Sequence, residues 1–232
     1  MDIHKPKPFH GVREFLKEYG IIVLGVLTAL GLEQAVEALH WRHAVESQRK
    51  ALDGELSARL DAATARLSQE PCIQGRLKEL RIVFERHKAG EPLGLVGPVG
   101  APAVVGAAQG VWATAAGSQT MEHMPAEERE RYGSAFSGFA ALDESLNGEA
   151  RTWDDLAGLD QVEFLETGDW PALHAAYTRT LAWDQRNRFF AEWVLKHDAG
   201  GRKPADRFKL DDLTRLKEPV RNLCRSMLAS AG

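Results

Sequence analysis

The chain has 232 residues, 44% hydrophobic and 27% charged, the balance of an ordinary globular protein with room for one domain or two small lobes. A formal net charge of −4 and the lack of any basic stripe with interleaved aromatics exclude a nucleic-acid surface. The sequence holds no CxxC, no HExxH and no dinucleotide or phosphate-binding loop, so those redox, zinc and nucleotide chemistries are excluded as well.

Residues 1–17 read as a short basic tail carrying Lys5, Lys7, Arg13 and Lys17. Residues 18–41, EYGIIVLGVLTALGLEQAVEALHW, read as a transmembrane helix. The unbroken apolar run from Tyr19 to Leu32 covers only ~21 Å at ~1.5 Å per residue, less than a ~30 Å hydrocarbon core. Ala35, Val36, Ala38 and Leu39 carry the pattern to ~31 Å. Tyr19 and Trp41 stand at the two ends as interfacial aromatics, and Lys17 and Arg42 are placed to reach toward headgroups. Glu33, Gln34 and Glu37 oppose the assignment, since a carboxylate at mid-span costs ~2.5–3.5 kcal/mol, but they fall in the last third. Two other readings stand beside the anchor. One is a signal peptide cleaved near Val36-Glu37-Ala38, although the acids there suit a cleavage site poorly. The other is a core helix of a soluble domain. The slight excess of cations before the span favours a cytoplasmic N-terminus and a domain outside, which in a bacterial inner (cytoplasmic) membrane means the periplasm.

Gly25, Ala29 and Glu33 follow one another at i+4, with Glu37 next, and form one ridge. Small residues at that spacing let two spans approach closely, so the ridge is the expected oligomerisation face, toward a second copy or a membrane-protein partner. Intramembrane acids usually face protein or water, which would shelter Glu33 there. Against this, glycine and alanine are common in spans, and Glu33 can reach the interface alone.

Residues 42–232 read as an α-helical extramembrane domain. Val45, Leu52, Leu56, Leu60, Ala63 and Leu67 continue the helical pattern past the span. Glu70-Pro71 interrupts it, and Ile73, Leu77, Leu80, Phe84 and His87 begin a second helix that ends at Gly90. The two are expected to form an antiparallel hairpin with a tight turn. Residues 90–110 are rich in glycine and proline yet apolar. They read either as a mobile loop that docks a partner or lipid, or as a connection packed on the domain's own surface. A short helix at Val111–Ala116 carries Trp112. Pro125 opens a long aromatic-rich helix through Tyr132, Phe136, Phe139, Leu142, Leu146, Trp153 and Leu156, with a kink or break expected at Gly133, Gly138 or Gly148. Asp169 caps the next helix, whose buried side is expected to carry Leu173, Tyr177, Leu181, Phe189/Phe190 and Trp193/Val194, ending at Gly200-Gly201. Pro219 starts a last helix through Val220, Leu223, Cys224, Met227 and Leu228. No segment alternates long enough for a strand, and the expected class is all-α: a transmembrane helix continuing into a helical bundle.

Cys72 follows a proline at a helix start and Cys224 lies on an apolar helix face. An even cysteine count in an exported domain permits a disulfide between them, closing a very long loop; two unrelated buried thiols are the alternative. The metal-like run Glu37-xx-His40-xx-His43-xx-Glu46 lacks the second copy a di-iron bundle needs, and steps of three drift ~60° around a helix, so the four cannot converge on one ion. Ser134 and Ser137 do not make a nucleophile elbow. No catalytic, cofactor-binding or metal site is expected. The six tryptophans are either core and belt residues or the lining of an aromatic cleft between helices.

The tail and span through Tyr19, the GVLTAL core at Gly25–Leu30, and the charged helix with Leu52 and Glu55 resemble the opening of an uncharacterised bacterial family of single-pass, N-terminally anchored membrane proteins. The resemblance covers roughly residues 12–56. It implies membrane anchoring and transfers no catalytic residue. The expected function is protein–protein interaction or scaffolding at the membrane surface, with the lipid bilayer and a second copy or membrane protein as partners. The alternative is a ligand-binding or sensor-type bundle with an aromatic-lined cleft.

Overall fold

The computed structural model describes residues 11–105, 110–197, 210, 215 and 217–229. It is all-α, 81% helical, with no strand among the described residues. Two compact units divide the chain, residues 1–49 and 50–232. The expected tail lies largely outside the described residues, as does the expected helix end at Gly200-Gly201.

Helix α1 runs Val12–Ser68. From Val12 to Leu39 its large apolar residues stand mostly exposed, Ile21 at 72% and Leu24 at 67%, while Val45 is buried. In the second unit its Leu52, Leu56, Leu60 and Ala63 are buried. Helix α2 is Glu70–Ala89, α3 Val111–Ala115, α4 Gln119–Glu122 and α5 Ala126–Leu156. A 3-10 stretch, Ala157–Phe164, leads to α6, Trp170–His197, and the last helix, α7, is Glu218–Leu223.

Pairings along the helices fix their directions. Going up α1, Asp53 accepts from the Tyr132 hydroxyl at 2.7 Å, Arg59 meets Asp143 at 2.7 Å and Arg66 meets Glu149 at 2.9 Å, so this part of α1 runs parallel to α5. Asp155 pairs with Arg179, and Glu149 with Asn187, so α5 and α6 are antiparallel. The march continues on α2: Gln74 reaches Asp184, Phe84 packs on Tyr177, and His87 stacks on Trp170 at 3.5 Å. The chain therefore keeps its direction across Pro71.

This corrects the expected hairpin between the first two helices of the domain. Gln69, between them, stays right-handed helical at φ −84°, ψ −8°, and Arg66 and Glu70 still make an i,i+4 ion pair at 3.0 Å. Proline deletes one backbone bond and bends a helix without reversing it. The antiparallel hairpin is α5–α6 instead.

Three further expectations are corrected. Helix α5 passes Gly133, Gly138 and Gly148 without a break, because its buried aromatics outweigh about 1 kcal/mol per glycine. On α6, Leu181 is 40% and Phe189 61% exposed, while Thr180, Asp184 and Asn187 take the buried face. Helix α7 stops at Leu223, and beyond it Leu228 lies antiparallel beside Leu95 in an isolated bridge.

Of the two readings of residues 90–110, packing prevails over the described part. Gly90 closes α2 with φ +71°, its N–H and that of Glu91 reaching the carbonyls of His87 and Arg86. Val96 donates to Met227, Ala229 to Gly94, Ala101 to Pro219 and Val99 to the Asp160 carboxylate at 2.7 Å. Val99 is fully buried in a core with Ile73, Leu80, Trp153, Leu156 and Leu223. Residues 106–109 lie outside the described residues.

Candidate functional site

The sequence-predicted membrane residues lie on the exposed surface of α1. Lys17, Tyr19 and Arg42 are exposed and Trp41 half-buried. Within the helix an 18-residue apolar window of mean hydropathy 1.7 is 0% buried. A Cβ added at Gly25 would meet nothing within 4 Å, and Ala29 and Glu33 on the same ridge are exposed too. The polar groups of this helix largely satisfy themselves. The Thr28 hydroxyl donates to the Leu24 carbonyl at 2.8 Å, and the Trp41 indole to Glu37 at 3.3 Å. Glu37, His40, His43 and Glu46 do not come together, and no metal-ligating group of three occurs among the described residues.

A second constellation escaped the sequence reading. Four helices of the domain bring polar side chains to one buried point around the Arg66 guanidinium, itself 2% exposed. Its Nε donates to Glu149 Oε2 at 3.1 Å and its Nη2 to Glu149 Oε1 at 2.9 Å, a two-pronged pair. The same Nη2 reaches Asp184 at 2.8 Å, and Nη1 reaches Glu70 at 3.0 Å. Asn187 donates to Glu149 at 2.7 Å, and Gln74 donates to Asp184 at 2.7 Å and to Glu70 at 2.9 Å.

Burial alone would lower the Arg66 pKa, but the charge of Glu149 and the hydrogen bonds Arg66 donates to Glu149, Asp184 and Glu70 more than offset it, so it rises. Burial raises the Asp184 pKa, partly opposed by Arg66 and helped by Glu70 and Glu149. The two partners thus shift in ways that follow from three carboxylates crowding one cation. Every side-chain nitrogen of Arg66 is used. The cluster ties α1, α2, α5 and α6 together. The signal was readable: Thr180, Asp184, Asn187, Ala191 and Val194 continue the spacing set by Leu173, Ala176 and Tyr177.

The expected cysteine pair is present. Cys72 and Cys224 form a disulfide, with Cα atoms 4.7 Å apart, across 152 residues. One turn along α2, buried Arg76 donates to the carbonyls of Asn222 at 2.7 Å and Arg225 at 2.6 Å. Its Nη1 lies 3.2 Å from Glu79, and its Nε has no hydrogen-bond partner. Burial lowers the Arg76 pKa, opposed by Glu79 and Asp160. Covalent bond and guanidinium together fasten the C-terminal segment to α2.

No protein-family model, curated protein or solved structure matches the chain.

Trp112, Trp153, Trp170 and Trp183 pack between elements rather than ringing a cleft. Trp112 stacks on Phe136 at 4.9 Å between ring centres, and its backbone N–H donates to Glu55 at 3.0 Å. Trp153 is buried, Trp170 lies edge-on to Phe84, and Trp183 covers Gly148, where a Cβ would sit 2.6 Å from the ring. A cleft of about 330 Å³ opens at the α5–α6 end, lined by Asp155, Leu165, Asp169, Ala172, Leu173 and Arg179, with no aromatic among those residues. Its Asp155 and Arg179 already pair with each other, at 3.0 Å. The arrangement gives no support to an aromatic ligand site there.

Proposed function

We propose that the chain is a single-pass protein of the inner (cytoplasmic) membrane, with a cytoplasmic N-terminus and a periplasmic helical domain. It acts by protein–protein contact at the membrane surface. The observation that carries this reading is the wholly unburied apolar window of α1. Ile21, Ile22, Leu24, Leu27 and Leu30 are each at least 49% exposed. Burying such side chains is worth about 1.5–3 kcal/mol each, which a bilayer would supply and the rest of the described residues do not. The Cys72–Cys224 disulfide fits an oxidising compartment, and the cations ahead of the span fit a cytoplasmic tail. The resemblance over residues 12–56 points the same way. A role in contact rather than catalysis rests on a domain whose polar core is closed and whose C-terminal segment is fastened down. The partner surface we assign in the membrane is the ridge of Gly25, Ala29 and Glu33.

The test is thiol accessibility in intact bacteria expressing the full chain. A membrane-impermeant maleimide is applied before and after an impermeant reductant, and the cells are then fractionated. Membrane-bound protein labelled only after reduction is the expected result. Freely reactive thiols in the soluble cytosolic fraction would sink the reading. An intact mass lacking the apolar helix would instead make that helix a cleaved leader.

A further inference from the structure

The Cys72–Cys224 disulfide is not sealed inside the domain. Both cysteines are half-buried, and Pro71, Gly75, Arg225 and Ser226 around them are exposed. Two clefts meet at Cys224. One, of about 280 Å³, touches both cysteines together with Gly75, Arg76, Glu79 and Ser226. The other, of about 490 Å³, is lined by Arg215, Arg221, Cys224 and Arg225 and does not touch Cys72. Such volumes suit a small molecule rather than a folded partner.

The charge around the bond is one-sided. Arg76, Arg215, Arg221 and Arg225 line the two clefts, and the carboxylate among the described lining residues is that of Glu79. Glu79 is engaged, at 3.2 Å from Arg76 and accepting from the Ser226 hydroxyl. Glu218, outside the lining, reaches Arg221 only at 4.0 Å. A thiolate must approach the sulfur it attacks from the side opposite the sulfur that departs. A cleft that reaches Cys224 but not Cys72 offers that approach at Cys224, and its arginines favour an anion over a neutral or cationic visitor. The departing sulfur is then that of Cys72. Arg76 follows Cys72 by one helical turn on the same face of α2, and its Nε donates to nothing while the bond is intact.

We propose that the disulfide is a thiol-exchange site for a small thiol that carries further negative charge. The thiolate attacks Cys224 Sγ, and a new sulfur–sulfur bond joins the two. The Cys72–Cys224 bond breaks, and its electron pair leaves on Cys72 Sγ as a thiolate beside Arg76. One disulfide is consumed and one is formed, so the step needs no further oxidant or reductant. The adduct removes the covalent tie between α2 and the C-terminal segment, and leaves the hydrogen bonds from Arg76 to the Asn222 and Arg225 carbonyls. This goes beyond the contact role argued above and does not depend on the anchored reading.

The oxidised full chain, in mild detergent and without denaturant, is exposed to mercaptoethanesulfonate, mercaptoethanol and cysteamine. These share one carbon skeleton and carry an anion, a neutral group and a cation. Each rate per thiolate is divided by the rate of the same thiol on a neutral small disulfide, which removes intrinsic reactivity. The sulfonate should lead mercaptoethanol by about tenfold, with cysteamine behind, and salt should shrink the lead. Alkylation and peptide mass should find the adduct on Cys224 and the free thiol on Cys72. Arg221→Ala combined with Arg225→Ala should abolish the lead while leaving the mercaptoethanol rate and the helical circular dichroism unchanged. Arg221→Lys with Arg225→Lys should restore it. Equal normalised rates for the three thiols, an adduct on Cys72, or an alanine variant that keeps the lead would each overturn the proposal. Reduction seen only in urea would overturn it too, and make the bond purely structural.

Discussion

A guanidinium surrounded by three carboxylates, out of water, loses solvation that only complete pairing offsets. Arg66 achieves that pairing with Glu149, Asp184 and Glu70, so removing it alone leaves two deeply buried carboxylates unmatched. Arg66→Met is expected to lower unfolding free energy by about 3–5 kcal/mol in urea titration. The combined Arg66→Met, Glu149→Leu, Asp184→Leu variant should recover much of that loss, because no unpaired charge then remains in the core. A combined variant as unstable as the single one would mean the ion cluster itself, not the avoidance of orphan charge, supplies the stability. Asp184 gives a separate, pH-resolved expectation. Its folded pKa lies above the ordinary value of 3.8, so between those two values the folded state holds the extra proton. Its contribution is then full below the ordinary value and is lost as pH rises through the folded one. Relative to the wild type, Asp184→Asn should therefore gain stability as pH rises across that window, measured by denaturant titration from acid to neutral pH. A constant difference between the two proteins would place the titration elsewhere. These residues also show where sequence reading stops. Thr180, Asp184 and Asn187 keep the right spacing for a buried face, yet polarity alone assigns them to solvent. Their partners, Arg66 and Glu149, are non-local and only the fold reveals them.

At the scale of elements, much was legible because it is local: the start of α2 at Pro71, its Gly90 cap, the proline entry into α5 and the short helix carrying Trp112 each follow from residues within a few positions. Direction was not local. Proline says that a helix is interrupted, but whether the chain reverses is decided by the α5–α6 pair along which α1 and α2 lie. Nor could composition place residues 91–105, whose glycines suggest freedom while Gly100 is held at φ +67° against Leu223 and the Pro219 carbonyl. That contact leaves no room for a side chain, so the segment is glycine-rich for close approach. The disulfide ties the same C-terminal segment to α2. Closing a loop of 152 residues limits the unfolded chain, and the Cys72→Ala, Cys224→Ala variant should lose about 2–5 kcal/mol of stability. Amide exchange locates the effect: protection should fall most at Val96, Ala101 and Leu223, less at Phe139 and Leu146 on α5. Uniform loss across the domain would show that the C-terminal segment is held mainly by Arg76 and the backbone bonds to residues 94–101.

For the whole molecule, the governing contrast is between a domain that buries most of its apolar residues and a helical stretch, Val12–Leu39, that exposes most of them. The composition carried this from the start, since the run through Gly25–Leu30 has no polar face to turn toward water. What composition does not carry is whether, in the anchored reading we propose, the helix would meet lipid all round or lipid on one side and protein on the other. Gly25 decides the matter cleanly. A Cβ there meets nothing within 4 Å in the single chain, so a larger side chain tests only contacts made with other molecules. If the ridge of Gly25, Ala29 and Glu33 brings two spans together, Gly25→Leu must hold their backbones apart. Association measured by energy transfer between labelled chains in vesicles, and by mass in mild detergent, should weaken at least tenfold. Val26→Leu, a quarter-turn away, should leave it unchanged. Glu33→Gln then separates two contributions: a shared carboxylate site would respond to removal of its charge, whereas packing of small residues would not. Unchanged association in all three variants would give the ridge to lipid and leave the extramembrane domain to find the partner.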